Sequence, residues 1–416
     1  MTQVRAHRIG HWLPTDQKVL DEWLAALIDD VHTRPRKLHP VVDEFRQAIE
    51  DDSELYMLFH RMFDELPNGP PYDKDPTGAP QVRDYQVMLK LLSAAITRAP
   101  EFNKSGSVGL PINTILDWPM GTGAGRTAFH HPKVNLHLRQ ILGAWARFLD
   151  SPDSTYVLSE DPRHGWFGED AMAAMPDFDA LFQCDPRAPH RGFRSWDAFF
   201  TREFRTGVRP IAEPDNDRVI INACESAPYK LASDVKAHDR FWIKSQPYSL
   251  THMLAADPLA QRFAGGTVYQ AFLNSLSYHR WHSPVSGTIV KVVLVPGTYY
   301  AQAAVEGLDL NGVHDSQGYL TEVATRALIF IEADNTDIGL MCLVMVGMAE
   351  VSTCDVRVYE GQHVKKGDEI GMFHYGGSTY CMVFRPTVHL TFDHHGQEPG
   401  LHSSNILVNA KIATVE

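Results

Sequence analysis

The chain has 416 residues, 44% of them apolar and 21% charged, enough to bury a large core and to form two domains. A formal net charge of −13 argues against nucleic acid or an anionic membrane surface as the main partner, because both select basic patches. Five scattered cysteines with no Cys-x-x-Cys pair fit the reduced thiols of a cytoplasmic protein and give no zinc-binding pattern.

The segment Met1–Thr15 has no apolar stretch of the kind a secretory signal needs. Leu20, Trp23, Leu24, Leu27, Ile28 and Val31 then recur at helical spacing, with Thr15 or Asp16 placed to cap. Val42, Phe45 and Ile49, continuing through Leu55, Leu58, Phe59 and Met62, predict a second helical region. Val87, Leu91, Ala94 and Ala95 predict a third, and Leu138, Ile141, Leu142, Trp145, Phe148 and Leu149 a fourth. Pro- and Gly-rich stretches at 67–84 and 105–126 read as connectors. Within the second, Gly121-Thr122-Gly123-Ala124-Gly125-Arg126 lacks the Lys-Ser/Thr of a phosphate loop and reads as a plain loop.

From about residue 217 the pattern changes to short β-branched runs between glycines: Gly287 to Gly297, Ala327 to Glu332, Gly339 to Gly347 and Val356 to Gly361. The apolar run Ile338–Val351 is broken by glycine and too short to span a bilayer. The chain divides into a helical region 1–150, a connecting segment 151–216 and a β-rich region 217–416. Val356 to Phe373 also resembles half of a biotinyl or lipoyl carrier domain, but no lysine sits at a hairpin tip to be modified.

Two strings carry chemistry: Tyr375-Gly376-Gly377-Ser378-Thr379 and Tyr278-His279-Arg280-Trp281-His282. With a histidine as base, a serine hydroxyl can attack the carbonyl of the preceding glycine and turn the amide into an ester. Elimination then frees the upstream chain, and hydrolysis of the dehydroalanine leaves a pyruvoyl group. Such a group forms a Schiff base with an amine and stabilises the carbanion left by departing carbon dioxide. Glycine at 377 leaves the attacked carbonyl unhindered. No string suggests the lysine of a pyridoxal phosphate enzyme, and the His-x-x-His pair lacks a third ligand at metal-site spacing.

The surroundings of these strings resemble the phosphatidylserine decarboxylase family. Phe199-Phe200-Thr201-Arg202-Glu203-Phe204 with Arg209-Pro210-Ile211 is similar to its opening motif, and Tyr278 to Gly287 to its two-histidine motif. Val346 to Val351 and Glu360 to Gly371 are similar to its closing strands, which lead into Gly376-Gly377-Ser378-Thr379. A narrower resemblance is to the soluble fungal L-tryptophan decarboxylases of that family, through Cys224-Glu225-Ser226, Gly297-Thr298-Tyr299, Phe330 to Asn335, Met372-Phe373-His374 and Val134 to Leu138.

The resemblance implies an α+β fold: a helical N-terminal region followed by a β-rich phosphatidylserine-decarboxylase-type catalytic domain with barrel-sandwich-like strands. It implies cleavage between Gly377 and Ser378 into β and α chains that stay together, and a pyruvoyl cofactor derived from Ser378, with neither pyridoxal phosphate nor metal. His282 is the implied base for cleavage, and Glu225 stands where the family has an orienting aspartate. His279 is the implied acid that protonates the substrate carbon. Phe272, Tyr278 and Trp281 are candidates for an apolar pocket wall. The implied activity is decarboxylation of a free aromatic L-amino acid, L-tryptophan foremost, in the cytoplasm. Phosphatidylserine is the alternative substrate. No nucleic-acid partner or stable membrane insertion is expected, and homo-oligomerisation is left open.

Overall fold

A computed structural model describes residues 17–65, 82, 84–102, 111–239, 248–274, 276–301, 316–350, 353–375 and 378–416. The expected caps Thr15 and Asp16 lie outside these residues, as does most of the first connector.

The N-terminal half is helical: α1 Gln17–Thr33, α2 Pro40–Glu50, α3 Ser53–Asp64, α4 Tyr85–Ala95, α5 Pro111–Met120, α6 Gly123–His130 and α7 Pro132–Leu149. The second helical region of the sequence is two helices. Asp52 breaks it by turning its carboxylate back onto the amides of Glu54 and Leu55, which caps α3. The second connector was expected to be loop and instead contains α5 and α6. Thr122 accepts from the amide of Gly125 and starts α6, and Gly125 has no room for a side chain, since a Cβ would sit 1.7 Å from the carbonyl oxygen of Pro119. A packing contact and a cap thus override the low helix propensity of glycine.

Short helices follow, α8 Glu169–Ala174, α9 Phe178–Leu181 and α10 Trp196–Phe200, and then strands β1 Val219–Ile221 and β2 Ala227–Val235. The rest comprises α11 Leu250–Met253, β3 Gly266–Leu273, β4 Arg280–His282, β5 Gly287–Val295, α12 Gln317–Val323, β6 Arg326–Ala333 and β7 Leu340–Gly347. It closes with β8 Thr353–Val356, β9 His363–Val364, β10 Glu369–His374, β11 Ser378–Phe384, β12 Leu390–Phe392 and β13 Lys411–Val415. The strand read from Val356 to Gly361 ends at Val356, where β8 stops.

The main sheet is antiparallel with order β2-β3-β11-β7-β6-β5-β9, and two three-stranded sheets, β4-β10-β8 and β1-β13-β12, accompany it. Among the described residues the three sheets are open, which fits a helical N-terminal region followed by a β-rich domain, with no closed barrel. Core residues cover both faces of the main sheet. Strand β7 is therefore buried at every position, which is why Leu-Met-Cys-Leu-Val-Met-Val reads as an unbroken apolar run. The helical core continues into the β region through Tyr278, Tyr300 and Tyr375.

Candidate active site

Ser378 is the first residue of β11, an inner strand of the main sheet between β3 and β7, where it stands opposite Leu273 and Gly347. It is wholly buried, and its hydroxyl has no hydrogen-bond partner among the described residues. Gly376 and Gly377, and with them the expected cleavage site, lie outside those residues. Strand β10 before the site belongs to one sheet and β11 after it to another. Among the described residues, a break ahead of Ser378 crosses no strand pairing, and Thr379 to Phe384 stay paired on both sides, although residue 378 itself gives up its amide nitrogen when it is converted. A group made from Ser378 therefore fits the site: its anchor is the strand itself.

His282 ends β4. Its Nδ1 lies 2.7 Å from the carbonyl oxygen of Gly367. A carbonyl only accepts, so Nδ1 carries the proton and Nε2 keeps its lone pair, which accepts from the Tyr278 hydroxyl at 2.9 Å. Burial pushes the ring below its ordinary pKa and the Gly367 carbonyl opposes this, leaving a neutral imidazole. The Gly367 carbonyl is presented by a tight turn with φ +88 between β9 and β10. Lys366 pins that turn by donating to the carbonyls of Glu213, Asn216 and Val219.

Glu225 does not meet His282. Its two carboxylate oxygens accept from Nε and Nη2 of Arg209, both at 2.7 Å, and the amide of Val408 lies 3.3 Å from one of them. The Arg209 guanidinium, stacked 4.3 Å from the Phe204 ring, takes the carboxylate that the sequence assigns to the histidine. A backbone carbonyl orients His282 instead.

His279 is wholly buried beneath Phe200, ring centroids 4.1 Å apart and nearly parallel. Neither ring nitrogen makes a hydrogen bond of good geometry. Burial and then the Arg202 charge hold it well below the ordinary histidine range, against a weak pull from the backbone of Ser277. The opening motif thereby acquires a structural role. Helix α10, capped by Ser195, brings Phe200 onto His279, and Arg202 donates to the carbonyls of Leu276 and Ser277. Phe200 also packs at 5.7 Å against Tyr375, just ahead of the expected cleavage site.

Phe272 and Tyr278 line a cavity of about 440 Å³ together with Arg202, Arg209, Glu225 and Leu276. That volume is typical of small-molecule pockets, roughly 300–1,000 Å³. Phe272 pairs with Thr379, which puts its ring on the face of the sheet opposite to the Ser378 side chain, while Leu273 shares the Ser378 face. Trp281 is not part of that wall. It is wholly buried, edge-on to Phe373 at 4.6 Å, and covers Gly371, where a Cβ would fall 2.6 Å from the indole. No group of three or more His, Cys, Asp or Glu among the described residues is arranged to hold a metal, and no helix there is long and apolar enough to cross a membrane.

Three residues that the sequence reading assigned no role also approach this region. Glu350, Tyr300 and Tyr375 are buried, and Glu350 Oε2 and both phenol oxygens have no hydrogen-bond partner among the described residues. A buried glutamate in the otherwise apolar run Ile338–Val351 is the signal that marks them.

A family profile described as phosphatidylserine decarboxylase matches residues 196–401, and a second with that description matches 39–175. An L-tryptophan decarboxylase of Psilocybe cubensis is 37% identical over 97% of this chain and 94% of its own. The protein named decarboxylase iboD of Amanita muscaria is 46% identical over 68% of this chain and 86% of its own. Phosphatidylserine decarboxylase proenzyme 3 of Schizosaccharomyces pombe is 32% identical over 48% of this chain and 20% of its own.

Proposed function

The chain belongs to the phosphatidylserine decarboxylase family of carboxy-lyases, and on that footing we propose that it is a self-processing, pyruvoyl-dependent decarboxylase that converts L-tryptophan to tryptamine and carbon dioxide. The observation that carries this reading is Ser378: a buried, unpartnered hydroxyl at the head of an inner strand. Two histidines held neutral by their surroundings, His279 and His282, support it: they follow β3, the strand paired with β11, in the chain.

In the processing step His282 takes the hydroxyl proton on Nε2 as Oγ attacks the Gly377 carbonyl. Tyr278 must release that lone pair first. Elimination at Ser378 then frees the chain ending at Gly377 as a carboxylate and leaves dehydroalanine, which water hydrolyses with loss of the Ser378 nitrogen as ammonia. The pyruvoyl group so formed would supply the electron sink for decarboxylation. The remaining work falls to side chains. His279, neutral at working pH, does not repel an incoming ammonium. Any imidazolium formed at so depressed a site is a strong acid, suited to protonating the substrate carbon. Phe272 and Tyr278 give the cavity an apolar wall, and loss of a carboxylate charge is favoured where water is excluded.

The aromatic substrate rests on the near full-length likeness to the Psilocybe protein. A cytoplasmic location accompanies this reading, since all five cysteines are unpaired thiols. The test combines intact mass with carbon dioxide release. Purified protein should be two pieces, one beginning at a pyruvoyl group in place of Ser378 that reacts with hydroxylamine, and Ser378→Ala should be one inactive piece. Tryptophan should be turned over and added vesicles should not matter. Full-length active enzyme would sink the mechanism. Faster turnover of phosphatidylserine vesicles than of any free amino acid would establish the lipid alternative instead.

A further inference from the structure

Glu350 lies just beyond the end of β7, whose last residue, Gly347, is paired with Ser378. Tyr375 precedes Ser378 on the other side, so two chain segments meet near the reacting residue. Ala349 takes a left-handed φ of 51, a strained conformation for a residue with a side chain. The following carboxyl reaches the start of α5, where Oε1 accepts from the amides of Ile112 and Asn113 at 2.8 and 2.9 Å. Those bonds fix the carboxyl and leave Oε2 without a partner.

Tyr300 and Tyr375 stand close enough for the Glu350 charge to help push both phenols up, after burial. Their hydroxyls are also unpartnered. Three buried oxygens without partners among the described residues are costly to maintain, which points to a ligand that satisfies them. A primary ammonium offers three N–H donors.

We propose that Glu350, assisted by Tyr300 and Tyr375, binds the α-ammonium of the amino-acid substrate and takes one proton from it. This rests on the decarboxylase reading above. The N–H bond breaks, an O–H bond forms at Oε2, and the amine keeps the electron pair it needs to act as a nucleophile. Burial raises the Glu350 carboxyl to about 7, against the Asn113 and Ile112 amides, so both protonation states are available at neutral pH. Among the described residues, the ionisable side chains facing it are Tyr300 and Tyr375, both neutral there. His279 is a poorer acceptor, because its own proton affinity is so low.

The test uses the processed enzyme and two ligands, tryptamine and indole-3-propionate, which has no amine. Glu350→Gln keeps an oxygen for the α5 amides but cannot take a proton. It should cleave normally, lose at least tenfold in tryptamine affinity and keep its affinity for indole-3-propionate. The limb near pH 7 in kcat/KM should disappear. Equal losses for both ligands, or no loss for tryptamine, would overturn the assignment. If Glu350→Gln does not fold or cleave, Tyr300→Phe and Tyr375→Phe must show the same selective loss, threefold or more, and its absence overturns the proposal equally. Hydroxylamine labelling of the wild type separates this from failure of the underlying reading: without a labelled α chain, the pyruvoyl mechanism itself is wrong.

Discussion

The Tyr278 hydroxyl and the Gly367 carbonyl hold the His282 ring from opposite sides, at 2.9 and 2.7 Å. One contact fixes the tautomer and the other occupies the lone pair that would serve as base. His282→Ala should therefore remain a single chain by mass spectrometry. Tyr278→Phe, which removes only the competing donor, should cleave no more slowly than wild type. Slower cleavage would make the phenol a relay.

His279→Gln should cleave but decarboxylate about 10²–10⁴-fold more slowly, the usual contribution of a general acid or base. It should also change acid stability. The native ring is held well below 6.5, so as pH falls the unfolded chain binds the proton first. The wild type consequently loses stability from about pH 6.5 downward. Glu322 and Glu350 titrate in an overlapping window with the opposite sign, so the readout is the difference between variant and wild-type urea midpoints. That difference should move in the variant's favour between pH 7 and pH 5. A constant difference would mean the ring is not buried and neutral.

Glu225→Gln should act on stability rather than on processing. It breaks a mostly buried bidentate pair with Arg209 and leaves the guanidinium uncompensated, at a cost of about 3 kcal/mol. Molecules that fold should cleave at the wild-type rate. Slow cleavage with unchanged stability would return the carboxylate to His282.

Glu350→Gln should be stabilising at alkaline pH. The native carboxyl sits at about 7 against an ordinary 4.5, so the folded state binds the extra proton between those values and stability falls as pH rises through them. The gap corresponds to about 3 kcal/mol of destabilisation above pH 7. In an uncut Ser378→Ala background, thermal melts should favour the glutamine by about 1–3 kcal/mol at pH 8 and much less at pH 5. A variant less stable at pH 8 would show a carboxylate well satisfied by its surroundings.

The sequence made the fold's order legible because the signals were local. Val, Ile and Leu runs between glycines gave β5, β6 and β7, and 3.6-residue spacing gave α1, α4 and α7. Helix α6 was hidden because its identity depends on a cap and on one glycine packed against Pro119. The partner of His282 was hidden for another reason. It is a backbone carbonyl, which every residue possesses, and the turn that presents it depends on Lys366 reaching a distant segment. Trp281 looked like a pocket wall by proximity, but alternation along β4 turns it into the core beside Phe373.

Strand β11 has a consequence for how the molecule can be made. Before cleavage, threading it between β3 and β7 is a folding event within one chain. After cleavage the same insertion becomes an encounter between two polypeptides, and its yield on dilution from denaturant falls with concentration. The uncut precursor is thus the form that carries the instructions for assembly. On the proposed cleavage, a denatured preparation should recover far less well than denatured Ser378→Ala.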